Sequence, residues 1–84
     1  MYNIKITAQA KKELKLIKQT HESAINLAIE DIQEDPFAGK PLNRELTGHY
    51  SYRVGAYRII YKVNLKDKIV IILTAGHRAT IYQK

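Results

Sequence analysis

The stretch YSYRVGAYRIIYKV, residues 50–63, decides the fold, because two β-type runs flank the Gly-Ala pair at positions 55–56. A Gly-X pair between such runs is typical of a two-residue type II′ hairpin turn. In that register Arg53 lies opposite Arg58, and directly opposed residues point to the same face of a sheet. The stretch therefore predicts a β-hairpin with two arginines side by side on one face. The alternate residues, which we expect to pack under helices on the other face, are Tyr57, Ile59, Tyr61 and Val63.

The sequence before the hairpin predicts one strand and two helices. Residues 2–6 alternate apolar and polar side chains, as in a half-buried strand. Amphipathic patterns predict helices over residues 8–19 and 21–34, joined tightly near residue 20 as an antiparallel hairpin. The second helix ends at Asp35, because a residue that precedes proline disfavours the helical conformation. The predicted buried stripes are Ala10, Leu14 and Ile17 in the first helix and Ile25, Ala28, Ile29 and Ile32, widened by Ala24 and Leu27, in the second.

The sequence after the hairpin completes an α+β pattern. Residues 69–73 are apolar without alternation, which predicts a central strand covered on both faces. We expect Gly76 to end that strand and residues 77–82 to form a last extended segment. The 84 residues, 1–84, form one domain. In it, an N-terminal strand and a two-helix antiparallel hairpin pack on a mainly antiparallel sheet of three to five strands.

The charge of the chain is concentrated in its second half. Residues 1–42 hold six lysines and six acidic residues and sum to zero, whereas residues 43–84 hold eight basic and two acidic residues and carry the whole net charge of +6. This asymmetry favours a polyanionic partner, either a nucleic acid or an acidic protein. The alternative is a basic protein with no such partner.

Composition excludes several classes of protein. Cysteine is absent, which excludes disulfides, thiolate nucleophiles and cysteine metal sites. No apolar run approaches the roughly 20 residues that cross a bilayer, and the first residues lack the order of a signal peptide. We therefore expect a soluble, cytoplasmic, unprocessed protein with no membrane partner.

A basic cluster at the end of the sheet is the main candidate site. If the last segment returns beside the hairpin, a concave surface gathers Arg53, Arg58, Arg78 and Tyr82. Guanidinium groups bind phosphate with two parallel hydrogen bonds, and a tyrosine ring stacks on an unpaired base. These residues therefore suit RNA. From the residues alone, scattered arginines and a tyrosine that covers the core are equally open.

Histidine is the residue type here that can exchange protons near neutral pH. His49 shares its face with Arg53, at the rim of the predicted site, and His77 is next to Arg78. Either one can act as a general acid or base, or be an ordinary polar residue. Only two acids follow residue 42, and the histidine spacing matches no zinc motif. We expect neither a metal nor a cofactor.

Three segments together resemble the RelE branch of the RelE/ParE toxin superfamily. They are LTG at 46–48, YRVGAYRIIY at 52–61 and GHRATIY at 76–82, and the resemblance covers essentially the whole chain. It implies a RelE-like fold of the microbial ribonuclease type and a toxin of a type II toxin–antitoxin pair. Such toxins are metal-independent endoribonucleases, or mRNA interferases. They enter the ribosomal A site and cut mRNA there, inhibiting translation, as the ribose 2′-hydroxyl attacks the adjacent phosphodiester. The implied partners are a cognate antitoxin, the ribosome and mRNA, with operator DNA bound only through the antitoxin.

The resemblance also implies roles for single residues. Arg58 matches the arginine that holds the phosphate, and Arg78 matches the one assigned to the leaving group. Tyr82 matches the tyrosine that stacks on the substrate base. Arg53 stands where well-known members have a lysine proposed as general base, and Ser51 stands where they have a lysine that contacts phosphate.

Those two departures shift the predicted chemistry. Because a guanidinium stays protonated at neutral pH, a histidine is needed as proton acceptor, and the resemblance favours His77 over His49, since many relatives have a histidine next to this arginine. The predicted catalytic set is Arg53, Arg58, His77, Arg78 and Tyr82. The predicted RNA-contacting residues are Arg44, His49, Ser51 and Lys62. In this set Lys62 or Arg44 supplies some of the positive charge that a lysine at position 51 would carry.

Two other functions stay open. A ParE-like toxin inhibits DNA gyrase by binding, but such toxins generally lack the arginine and tyrosine set that Arg78 and Tyr82 represent here. A binding module for RNA or antitoxin that has lost activity is the second alternative, and the departures at Arg53 and Ser51 keep it open.

Overall fold

The computed structural model describes residues 1–42 and 48–77, and these form a helical layer on one mixed sheet. In chain order the elements are β1 (Asn3–Ile6), α1 (Ala8–Glu34), a 3-10 turn (Pro36–Ala38), β2 (Lys40–Pro41), β3 (His49–Val54), β4 (Tyr57–Asn64) and β5 (Ile69–His77). The strand order is β1-β5-β4-β3-β2. β1 pairs parallel with β5, and the other pairs are antiparallel. The predicted α+β class with a mainly antiparallel sheet is confirmed.

The long helix α1 is bent at His21, whose backbone is not helical (φ −132°, ψ 32°). A straight helix of 27 residues would be about 40 Å long, but the longest dimension of the molecule is 34 Å. Both ends of α1 are held near β1. Thr7 caps the start by accepting a hydrogen bond from the Ala10 N–H (3.1 Å), and the Tyr2 N–H donates to the Gln33 carbonyl (3.1 Å). The two predicted helices are therefore present, joined through a single non-helical residue in place of a loop.

The core lies between α1 and one face of the sheet, called the helix face below. The stripes predicted from the sequence are buried, except that Ile29 is half-buried and that Ala24 and Leu27, predicted to widen the second stripe, are exposed. Burying each large apolar side chain contributes about 1.5–3 kcal/mol, so this layer carries most of the stability. The buried residues are Ala10, Leu14, Ile17, Ile25, Ala28 and Ile32 from α1, and Ile59, Tyr61, Val70, Ile72 and Ala75 from the sheet.

The hairpin of β3 and β4 has the register predicted from its turn. Arg53 pairs with Arg58, and Gly55 has the positive φ of 59° that a type II′ turn needs at its first position. Three residue pairs point away from the helices: His49 with Lys62, Ser51 with Ile60, and Arg53 with Arg58. This side of the sheet is called the open face below.

Two predictions about β5 were wrong. Gly76 does not end the strand, because it pairs with Arg58 and β5 continues to His77. A glycine without a side chain still offers both backbone groups to the ladder. Nor is the strand covered on both faces. Its helix-face residues Val70, Ile72 and Ala75 are buried, whereas the open-face residues Ile69 and Ile71 are only half-buried.

A one-residue bulge divides β5. Tyr61 pairs with Ile72 and Ile60 pairs with Thr74, so Leu73 has no cross-strand partner. Because side chains alternate along a strand, one extra residue moves every later side chain to the other face.

Beyond the bulge β5 no longer has β1 beside it, and polar side chains bind its backbone. The Thr7 hydroxyl donates to the Leu73 carbonyl (3.0 Å). The Glu13 carboxylate accepts from the Ala75 N–H (3.1 Å) and the Thr74 hydroxyl (2.7 Å). We call these contacts the polar latch, and they hold the end of β5 against α1.

No helix within the described residues is long and apolar enough to cross a membrane.

Candidate functional site

A groove of about 610 Å³ lies on the open face, between the hairpin and the segment that contains β2. Its described lining contains three basic residues and no acidic one. An environment of this charge suits an anionic ligand. The lining residues are Ala38, Gly39, Lys40, Leu42, Ser51, Tyr52, Arg53 and Arg58.

Arg58 is the half-buried cation of this groove. Its Nη1 atom is buried and has no hydrogen-bond partner within the described residues. Arg53, directly opposite, is exposed, so two like charges stand side by side. Such a pair is destabilising unless an anion or solvent compensates, and an unpaired buried donor costs about 1–3 kcal/mol. The two arginines therefore favour an oxyanion that binds both.

Lys40 joins this pair from the edge of the sheet. It pairs with Ser51, which is 6% exposed, and Ser51 lies on the same face as Arg58. Cross-strand partners share a face, so the Lys40 side chain belongs to the open face. Lys40 was not among the residues predicted from the sequence, because a two-residue strand has no periodicity. The available signal was Pro41, since a residue before proline is held extended.

A buried tyrosine fixes the wall of the groove. The Tyr61 hydroxyl donates to the Pro36 carbonyl at 2.6 Å. Gly39 packs so closely on Tyr61 that an added Cβ would meet the phenol oxygen and would lie 3.0 Å from the Ser51 carbonyl oxygen. Burial raises the pKa of Tyr61 to about 12, so the phenol stays a proton donor. The ring of Tyr50 stacks on it at 5.7 Å.

A second tyrosine ties the hairpin to the helices. The Tyr52 hydroxyl donates to the Asp31 carboxylate at 2.8 Å. This hydrogen bond, together with burial, raises the pKa of Tyr52. Because Asp31 belongs to α1, the contact fixes β3 relative to the helical layer.

His77, which the sequence favours as the proton acceptor, does not lie in the groove. It pairs with Tyr57, and the two rings are 5.8 Å apart between centroids. Tyr57 belongs to the helix face and also contacts His21, at 5.2 Å. The bulge at Leu73 places His77 on the helix face, because without the bulge its side chain would lie on the open face. The structure therefore separates His77 from Arg58.

The remaining predicted residues are divided between the groove, its far end and the undescribed segments. Ser51, Arg53 and Arg58 line the groove. His49 and Lys62 face each other four residues further along the hairpin, about 13 Å from the arginine pair. The Nδ1 atom of His49 is buried without a partner among the described residues. The residues that lie outside the described part of the chain are Arg44, Arg78 and Tyr82, with the rest of the predicted last segment.

Known proteins share this sequence and fold. Residues 4–82 match the family described as the ParE toxin of the type II toxin–antitoxin system parDE. Toxin RelG of Mycobacterium tuberculosis is 36% identical over 85 residues, which cover 99% of this chain and 98% of that protein.

Solved structures agree with the sequence comparison. The toxin–antitoxin complex RelBE2 of Mycobacterium tuberculosis contains a chain that is 35% identical, with a TM-score of 0.79, over 92% of this chain and 98% of that one. The archaeal RelE–RelB complex of Pyrococcus horikoshii OT3 contains one that is 30% identical, with a TM-score of 0.75, over 94% and 97%. The chain therefore belongs to the ParE toxin family of the RelE/ParE superfamily, and it is a toxin of a type II toxin–antitoxin system.

Proposed function

We propose that this toxin is a ribosome-dependent endoribonuclease that acts in the cytoplasm and cuts mRNA in the ribosomal A site without a metal ion. The observation that carries the proposal is the groove in which Arg58 buries a guanidinium N–H that no described protein group satisfies. A phosphodiester bound in the groove brings negatively charged oxygens to Arg58 and Arg53. The similarity to RelG and to the RelE–RelB complexes supports the same function.

In the proposed reaction, the ribose 2′-hydroxyl attacks the adjacent phosphorus and loses its proton to solvent. The bond to the 5′-oxygen of the next nucleotide breaks, and that oxygen takes up a proton as it leaves. The products are a 2′,3′-cyclic phosphate and a 5′-hydroxyl. Negative charge grows on the non-bridging oxygens in the transition state, so fixed guanidinium groups stabilise it more than the ground state. Arg58 and Arg53 supply these groups. By resemblance, Arg78 protonates or stabilises the leaving oxygen and Tyr82 stacks on the base.

The proposed chemistry depends on positioning and charge more than on a strong base. The guanidinium of Arg53 does not accept a proton at neutral pH. His77 lies on the helix face, and His49 is about 13 Å from the arginine pair. Most of the rate enhancement is therefore expected from preorganised positive charge and from alignment of the 2′-hydroxyl with the phosphorus.

A cognate antitoxin is the proposed protein partner. Relatives of similar sequence are found in toxin–antitoxin complexes. The described lining of the groove carries only positive charge, so we expect an acidic antitoxin segment to cover it. Operator DNA is then bound through the antitoxin and not by this chain.

The test is induced expression in cells, with primer extension on an abundant message. Wild type and the exposed-turn control Lys66→Ala should both produce cuts inside translated codons. Arg58→Ala and Arg78→Ala should lose the cuts while keeping the wild-type fold by circular dichroism.

Three results would contradict the proposal. Growth arrest without cuts points to gyrase inhibition, and no toxicity at all points to a binding module. Full cleavage by Arg58→Ala would show that the groove is not the RNA site.

A further inference from the structure

We infer that Lys40 is an RNA-contacting residue, whose ammonium group binds a phosphate next to the one held by Arg58. This inference rests on the proposed ribonuclease function and deepens it, because it adds a residue from the edge of the sheet to the substrate site.

The position of Lys40 places it across the groove from Arg58. Lys40 pairs with Ser51, Ser51 pairs with Ile60, and Arg58 is two residues from Ile60 on the same face. The Lys40 and Arg58 backbones are two strand spacings apart across the sheet and two residues apart along it. Together these steps separate them by about 12 Å. Both side chains line the same groove. Both charged side chains are therefore available to one RNA strand bound in the groove.

The backbone of Lys40 is fixed before any ligand arrives. On one side, Gly39 packs against Tyr61 and the Ser51 carbonyl with no room for a Cβ. On the other side, Pro41 restricts Lys40 to an extended conformation. The Tyr61 hydroxyl holds the preceding turn through the Pro36 carbonyl. A fixed backbone lowers the entropy lost when the side chain binds a ligand.

The charge of Lys40 is available to a ligand. Lys40 is exposed, and no described acidic residue lines the groove to neutralise it. An ammonium group is a compact charge with three rotatable donors, whereas a guanidinium is a planar fork. The planar guanidinium of Arg58 therefore binds the oxygens of one phosphate in a fixed orientation. The ammonium group of Lys40 can rotate its donors, so it binds a neighbouring phosphate in a range of orientations.

The test is single-turnover cleavage of mRNA on programmed ribosomes, at several salt concentrations, with the toxin varied. The variants are Lys40→Met, Lys40→Arg and Arg58→Ala, with Lys66→Met as the matched control for loss of one exposed lysine charge. Lys40→Met should cut roughly 10-fold more slowly at subsaturating toxin, as expected for a lost charged hydrogen bond. It should also lower the salt slope of the apparent affinity by about 0.7, the value for one single-strand phosphate. Lys40→Arg should keep most of the rate and the slope.

The outcomes separate the inference from the function on which it rests. If wild type does not cut mRNA, the proposed function fails. If wild type cuts, Arg58→Ala does not, and Lys40→Met has the wild-type rate and salt slope, the inference about Lys40 is overturned alone. If Lys40→Met cuts normally but loses affinity for the antitoxin, Lys40 serves the protein partner and not RNA.

Discussion

The packing of Gly39 against Tyr61 predicts a large, specific cost for Gly39→Ala. The backbone of Gly39 (φ −74°, ψ 165°) is one that alanine adopts freely, so backbone strain contributes nothing. The added Cβ would overlap the Tyr61 hydroxyl and lie 3.0 Å from the Ser51 carbonyl oxygen. Overpacking of this kind costs about 1–3 kcal/mol in the free energy of unfolding.

Tyr61→Phe provides the second side of a double-mutant cycle. Alone, it leaves the Pro36 carbonyl without the donor that Tyr61 places at 2.6 Å, at a cost of about 1–3 kcal/mol. In the double variant the phenol oxygen is gone, so the tightest contact of the new methyl on that side is with the ring carbon Cζ at 3.2 Å. We therefore expect the double variant to be more stable than the sum of the single effects predicts, by about 1–2 kcal/mol.

Urea unfolding followed by circular dichroism measures the four free energies. Gly55→Ala is the control, because Gly55 has open space around it but a positive φ of 59°. Its cost comes from backbone strain, about 1–2 kcal/mol, and should add to that of Tyr61→Phe. Additivity within about 0.5 kcal/mol for the Gly39 pair would refute the proposed packing conflict.

Two further predictions concern stability. The folded pKa of Tyr61 is about 12 and lies above its ordinary value of 10.0. The stability that the neutral Tyr61 phenol contributes to the fold is therefore complete below pH 10 and is lost as the pH rises towards 12. The difference in unfolding free energy between wild type and Tyr61→Phe should then shrink by at most about 2–3 kcal/mol, and a constant difference would contradict the pKa. Thr7→Ala removes both the cap of α1 and the hydrogen bond to Leu73. It should cost about 1–2 kcal/mol, whereas Thr7→Ser should recover most of it, and equal stabilities in urea unfolding would contradict this role.

The hairpin could be predicted from the sequence because its information is local. The Gly55 turn sets the register, and the register alone places Arg53 beside Arg58. The helical stripes were equally accessible, since each repeats with the helical period. Only the joint differs, because a kink at the single residue His21 connects the two helices where a loop would be expected.

The rest of the site depends on contacts between distant residues. Lys40 reaches the groove through pairing with Ser51, and nothing in a two-residue strand reveals that partner. The bulge at Leu73 decides on which face of the sheet His77 lies. The apolar residues around Leu73 give no sign of this bulge in the sequence. A sequence pattern predicts which side chains of a strand share a face only where the strand contains no bulge.

The pairing of β1 with β5 has a consequence for how the molecule is made. Asn3 pairs with Ile69, and the Thr7 hydroxyl binds Leu73 across a separation of 66 positions. Contacts between residues this far apart form slowly, because a long loop must close first. The first strand has no neighbour until β5 has been synthesised, and the apolar face of α1 lacks Val70, Ile72 and Ala75 until then. A nascent toxin therefore cannot complete its sheet or its core until β5 has been synthesised.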